Sequence, residues 1–125
     1  MDVQLKRVYE PAASDDGFRV LVDRLWPRGI SKERACLDRW AKEVAPSTAL
    51  RNAWHGDARG HEPDHFAAFA ASYRAELEVD PARAALSELV DLARAEPRLT
   101  LLYGARDPES NHATVLRDAL RELAA

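Results

Sequence analysis

Three short stretches of apolar residues predict the strands of a sheet. Val3 to Tyr9 alternates weakly and ends before a proline and a polar turn. Phe18 to Trp26 is the strongest of the three, because it carries apolar residues on both faces, as a central strand of an α/β sheet does. Leu99 to Tyr103 is a continuous apolar run, which indicates a third, buried strand.

Three later segments repeat apolar residues with the period of an amphipathic helix. The first stripe runs from Phe66 to Leu77, and its helix is expected to start near Pro63. The second and third follow the dipeptides Asp80-Pro81 and Asp107-Pro108, in which an acidic cap precedes a proline suited to a first helical turn.

The middle of the chain is harder to assign. Ser31 can cap a short helix, and Pro46-Ser47 opens another over Thr48 to Trp54. Leu37 to Val44 fits either a helix or a short edge strand. The order of elements predicts one α/β domain over residues 1–125, with a short, mainly parallel sheet of about three strands packed by about four to five helices.

Composition narrows the classes of function. The 125 residues are 46% hydrophobic and 31% charged, with a net charge of -3, which disfavours nucleic acid as a partner while leaving a local basic patch open. The single cysteine, Cys36, permits no intramolecular disulfide and is expected to be a buried apolar residue. No segment has the length of a signal peptide or a membrane span, so we expect a cytoplasmic protein that does not bind membranes.

The segment His61-Glu62-Pro63-Asp64-His65 matches the H-E-x-x-H pattern of zinc proteases. That site needs both histidines on one face of a continuous buried helix. Pro63 suits the first turn of a helix and not its middle, which leaves His61 in the preceding loop. The sequence therefore predicts neither a metal site nor a cofactor here.

Polar residues cluster where two of the predicted strands end. The segment VDRLWPRG supplies Asp23, Arg24, Trp26 and Arg28, and YGARDPESNH supplies Arg106, Asp107, Asn111 and His112. In open α/β sheets, ligands bind outside the carboxyl ends of the strands, so both clusters lie at that edge if the strands are parallel.

His112 shares the direction of the apolar face of the last helix and is expected to point toward the sheet, one turn inside that helix. It could be a core histidine bonded to a main-chain carbonyl, or an acid/base group in a crevice. Asp107 has the alternative role of a helix cap. Asp23 and Arg24 are neighbours in the predicted strand and should point to opposite faces. Arg28, beside Gly29, suits a phosphate or carboxylate.

The segments RVLVDRLWPRGISKE and LTLLYGARDPESNHATVL together resemble the YeaO-like proteins, a bacterial family with the domain of unknown function four-eight-eight. The resemblance also covers WAKEVAPSTALR and FAAFAASYRAEL, and hence most of the chain. It implies a small stand-alone α/β domain in the cytoplasm and brings no established reaction. Gly104 stands where the family often has alanine, a difference expected to be harmless.

Two functions remain open from the sequence. In the first, Arg24, Trp26, Arg28 and Arg106 bind a small phosphorylated or carboxylate-bearing substrate, while His112, Asp107, Asn111 and Asp23 support acid/base chemistry. In the second, the same edge is a non-catalytic module that binds a nucleotide, a nucleic acid or a protein. The sequence does not decide whether the protein is an enzyme.

Overall fold

Four strands form one parallel sheet in the computed structural model, which describes residues 1–125. They are β1 (Val3–Arg7), β2 (Phe18–Leu21), β3 (Arg39–Trp40) and β4 (Leu99–Tyr103), in the order β1-β4-β2-β3. β4 pairs with both β1 and β2, and all of its residues are buried. The predicted α/β domain with a parallel sheet is confirmed, with one strand more than expected.

Five α-helices surround the sheet: α1 (Lys32–Ala35), α2 (Thr48–His55), α3 (Pro63–Glu76), α4 (Ala82–Ala95) and α5 (His112–Ala124). Two 3₁₀ turns, Ser14–Asp16 and Lys42–Val44, complete the elements. The main core lies between one face of the sheet and α3, α4 and α5, and a smaller apolar cluster covers the other face. None of the helices combines the length and the apolar character needed to cross a bilayer.

The second strand is shorter than predicted, because it ends at Leu21 and not at Trp26. The Val22 N–H still donates to the Leu102 carbonyl at 3.0 Å, and the chain then leaves the sheet. Asp23 and Arg24 therefore lie in a loop, and the expectation that they point to opposite faces of a strand is wrong. This early exit turns both side chains toward the carboxyl edge of the sheet.

The ambiguous segment from Leu37 to Val44 contains the edge strand β3, followed by the second 3₁₀ turn. β3 is tied to β2 by the N–H groups of Asp38 and Ala41, which donate to the carbonyls of Arg19 and Leu21 at 2.9 Å. Cys36, expected to be buried, is exposed beside this segment.

The last helix begins at His112, later than the predicted start at Asp107-Pro108. Asp107 Oδ1 accepts the N–H groups of Glu109 and Ser110 at 2.9 and 3.1 Å, which forms a turn. Asn111 is the N-cap, since its Oδ1 accepts the Thr114 N–H at 3.2 Å. Two cap-forming residues compete in this segment, and the later one starts the helix. His112 is consequently the first residue of α5 and does not lie one turn inside it.

Candidate functional site

A crevice of about 320 Å³ opens at the carboxyl edge of the sheet. Its floor and walls come from the loops after β1, β2 and β4, from the segment that leads into α2, from α2 itself, and from one residue each of α3 and α5. Its lining includes Asp23, Arg28, Arg51, Trp54, His55 and His112. The loops after β2 and β4 meet here because parallel strands have their carboxyl ends at the same edge of the sheet.

The loop after β2 is held by its own side chains. Arg24 donates from Nε to the Pro46 carbonyl at 2.9 Å and from a terminal nitrogen to the Ala45 carbonyl at 3.0 Å. Trp26 donates from Nε1 to the Ile30 carbonyl at 2.7 Å. Arg24 and Trp26 therefore line the crevice, but their polar groups already bind main-chain carbonyls.

Asp23 joins the two strand-end loops. Its Oδ2 accepts the Gly104 N–H at 2.9 Å, and its Oδ1 lies 3.1 Å from His112 Nε2. A Cβ built on Gly104 would lie 2.9 Å from Asp23 Oδ2, so alanine at this position requires the carboxylate to shift.

His112 presents its ring to the end of β2. Nε2 lies 3.1 Å from the Val22 carbonyl, and because a carbonyl only accepts, Nε2 carries the proton. That N–H is directed at Val22, which leaves Asp23 Oδ1 as a buried oxygen without a hydrogen bond. This contact is the one expected of a core histidine bonded to a carbonyl.

Arg51 and His55 were not singled out by the sequence, yet both face the crevice. They lie four residues apart on α2, and this i, i+4 spacing places them on one side of the helix. Ser47 positions that helix: its hydroxyl accepts the Leu50 N–H at 3.2 Å and donates to Glu76 of α3 at 2.5 Å. The spacing was visible in the sequence, but the side that faces the crevice is set by the packing of α2.

Two guanidinium groups at the crevice have no protein partner. Arg28 is exposed and Arg51 half-buried, and neither side chain forms a hydrogen bond or ion pair. Burial lowers the pKa of His55 below its ordinary value, and the nearby charges of Arg51 and His112 lower it further, against the opposing effect of Asp23. His55 therefore holds a proton less readily than an ordinary histidine, and Arg28 and Arg51 supply the free positive charge.

Three predicted site residues lie outside the crevice: Arg106, Asp107 and Asn111. Arg106 is exposed. Asp107 forms the turn described above, and the main-chain N–H groups that it accepts hold its pKa below the ordinary value. Asn111 caps α5 and donates to the Asp107 carbonyl at 2.7 Å. The structure brings the predicted residues Asp23, Arg24, Trp26, Arg28 and His112 together and separates these three from them.

The HEPDH segment does not place its histidines side by side on a helix. α3 begins at Pro63, as predicted, and His61 lies in the loop before it, where its Nδ1 is 3.1 Å from Asp107 Oδ2. His65 Nδ1 lies 2.8 Å from Asp57 Oδ2, and this carboxylate raises the pKa of His65. The oxygen and nitrogen atoms of Glu62, Asp64 and His65 lie within 4.8 Å of one another at the surface, outside the crevice.

Comparison with known proteins finds relatives over almost the whole chain. Residues 2–125 match the family model described as the inactive DUF488-N3 subclade. The chain is 50% identical over 123 residues to uncharacterized protein YeaO of Escherichia coli, an alignment that covers 98% of this chain and 100% of YeaO. It is 41% identical over 118 residues to uncharacterized protein Rv3073c of Mycobacterium tuberculosis, with 94% of this chain and 92% of that protein covered. No solved structure gives a significant match.

Proposed function

This chain belongs to the YeaO-like family, in the subclade described as inactive DUF488-N3, and we propose that it is a non-catalytic protein that binds a small anion in the crevice. The observation that carries this proposal is the pair of partnerless guanidinium groups, Arg28 and Arg51, at one cavity. Most other arginines of the chain bind a carboxylate or a carbonyl. A phosphate or carboxylate would supply the missing acceptor through charge-assisted hydrogen bonds.

The size and lining of the cavity agree with a small-molecule site. Its volume of about 320 Å³ is at the lower end of the range typical of ligand pockets, roughly 300–1,000 Å³. Trp54 and Phe69 contribute apolar walls beside the two arginines. Apolar walls lower the local dielectric constant, which strengthens the attraction between an arginine and a bound anion.

Two polar groups that could serve a catalyst, those of His112 and Asp23, are engaged in hydrogen bonds within the protein. The Nε2–H group of His112 donates a hydrogen bond to the Val22 carbonyl, and the Asp23 carboxylate accepts one from the Gly104 N–H. No serine, threonine, cysteine or lysine lines the crevice to act as a nucleophile. The word "inactive" in the description of the family agrees with a binding role.

We expect Arg51→Ala and Arg28→Ala each to weaken the binding of pyrophosphate by about tenfold or more. A hydrogen bond to a charged group contributes about 1.5–3 kcal/mol, and 1.4 kcal/mol corresponds to a factor of about ten in affinity. Titration calorimetry with the purified protein measures this loss. The matched control is Arg106→Ala, which removes the same charge from the same edge of the molecule outside the crevice and should change the affinity less than about twofold.

An equal loss of affinity in all three variants would show that the binding of pyrophosphate depends only on the overall charge of the protein, and the proposal would fail. It would also fail if the parent protein did not bind pyrophosphate at all. If a single-stranded oligonucleotide bound more tightly than pyrophosphate, with a steep dependence on salt, the ligand would be a nucleic acid instead of a small anion.

A further inference from the structure

The crevice is larger than an inorganic anion requires. About 320 Å³ equals the volume of roughly ten liquid water molecules, at about 30 Å³ each, whereas a phosphate ion has five heavy atoms. An anion bound at Arg28 and Arg51 would leave most of this space unfilled. A ligand that fills the crevice must carry a second, larger part.

The walls that this second part would meet are aromatic. Trp54 stacks on Phe69 with ring centroids 4.5 Å apart and an angle of 25° between the rings, and both residues line the crevice. Trp26 lies in the loop after β2, and Tyr9, in the loop after β1, donates from its hydroxyl to the Arg28 carbonyl at 2.9 Å. Flat apolar rings favour a planar partner, because stacking buries a face of that partner without specific hydrogen bonds.

Trp54 differs from the other two tryptophans in its indole N–H. Trp26 donates to the Ile30 carbonyl and Trp40 donates to the Asp23 carbonyl, both at 2.7 Å, but Trp54 Nε1 has no acceptor in the protein. An indole that lines a cavity with its donor free can both stack on a ligand and donate to it. Arg51 lies three residues before Trp54 on α2, which brings a charged donor and an aromatic donor close together.

We infer that the crevice binds an organic anion with a planar ring, whose charged group meets Arg28 and Arg51 and whose ring lies against Trp54. This inference rests on the proposed function and specifies the class of its ligand. Aryl phosphates and aromatic carboxylates share this chemistry. Trp54 is the residue that distinguishes such a ligand from an inorganic anion.

The test compares phenyl phosphate with inorganic phosphate, and benzoate with acetate, by titration of the full chain. We expect the ring to increase the affinity of the preferred anion by about tenfold or more, as base–aromatic stacking does elsewhere. Trp54→Leu should remove most of this preference. Trp54→Phe keeps a ring, loses the N–H and should fall between Trp54→Leu and the parent, while Arg51→Ala should weaken the ringed and the ringless ligand alike.

The matched control is Phe66→Leu, which removes a ring 5.6 Å from Trp54 that does not line the crevice and should leave the preference unchanged. Thermal unfolding of each variant confirms that it is folded. A preference for phenyl phosphate over benzoate would identify a phosphate ligand, and the reverse a carboxylate ligand; either supports the inference. Equal binding with and without the ring would overturn the inference and leave the proposed function standing, whereas no binding of any probe would overturn both.

Discussion

Gly17→Ala should lower the free energy of unfolding by about 3 kcal/mol or more. Gly17 has φ of 68° and ψ of -134°, a conformation open to glycine and strained for other residues. An added Cβ would overlap the Arg98 carbonyl oxygen, which itself accepts the Phe18 N–H at the start of the β2–β4 pairing. The chain would have to move where the central strands begin.

Gly29→Ala is the control for the backbone contribution. Gly29 also has a positive φ, of 80°, but a Cβ there would meet no atom within 4 Å. Gly29→Ala should therefore lower the free energy of unfolding only through the unfavourable backbone conformation, by about 1–2 kcal/mol. Urea unfolding measures both variants, and equal losses would contradict the steric account of Gly17.

Asp16→Ala should destabilise the protein by about 3–5 kcal/mol, the usual cost of leaving a buried charge without its partner. The Asp16 side chain is 2% exposed, accepts from Lys6 Nζ at 3.0 Å and pairs with the buried guanidinium of Arg19. Its carboxylate also accepts the Ala13 N–H at 3.0 Å. Removing the carboxylate leaves Lys6 and Arg19 without their anion.

The same carboxylate predicts how stability depends on pH. Burial opposes ionisation of Asp16, but the Ala13 N–H, Lys6 and Arg19 outweigh it and lower the pKa from 3.8 to about 2. A lowered pKa means that the folded state binds this proton less readily than the unfolded state. The ionised Asp16 carboxylate therefore adds about 2 kcal/mol to the free energy of unfolding. This stabilisation is complete above pH 3.8 and is lost as the pH falls toward 2.

Urea unfolding of the parent and of Asp16→Asn over this pH range measures the effect. We expect the acid-induced loss of stability to be about 2 kcal/mol smaller in Asp16→Asn, with the remaining loss coming from other carboxylates of lowered pKa such as Asp107. Asp2→Ala is the control, because Asp2 pairs with Arg98 at the surface, where solvent screens the charges. This variant should lower the free energy of unfolding far less than Asp16→Ala does. Equal effects of Asp16→Ala and Asp2→Ala would contradict the account of a buried ion pair.

The strands and helices that bury apolar residues could be predicted from the sequence. The run from Leu99 to Tyr103 forms the central strand, and the stripe from Phe66 to Leu77 forms a helix that begins at Pro63. Elements decided by competing polar contacts could not be predicted. The strand β3 is only two residues long, too short for a pattern of apolar residues to reveal it. The start of α5 depends on whether Asp107 or Asn111 provides the cap.

The candidate site was partly visible for the same reason. Parallel strands bring their carboxyl ends to one edge, which predicts that Asp23, Arg28 and His112 converge. Arg106 follows a strand too, but its loop turns it into solvent. The contribution of Arg51 and His55 depends on how α2 packs over that edge, and neighbouring positions in the sequence do not determine this packing.

The most direct measurement of anion binding in the crevice is an NMR titration of His55 with and without sulfate, whose charge is constant over the range in which histidine titrates. Partial burial and the charges of Arg51 and His112 hold the pKa of His55 below its ordinary value, and an anion beside Arg51 should raise that pKa. Sulfate should accordingly bind more tightly as the pH falls. His65, which lies outside the crevice, is the internal control, with sodium chloride at matched ionic strength. We expect the pKa of His55 to rise and that of His65 to stay the same; no change in His55, or equal changes in His55 and His65, would contradict anion binding in the crevice.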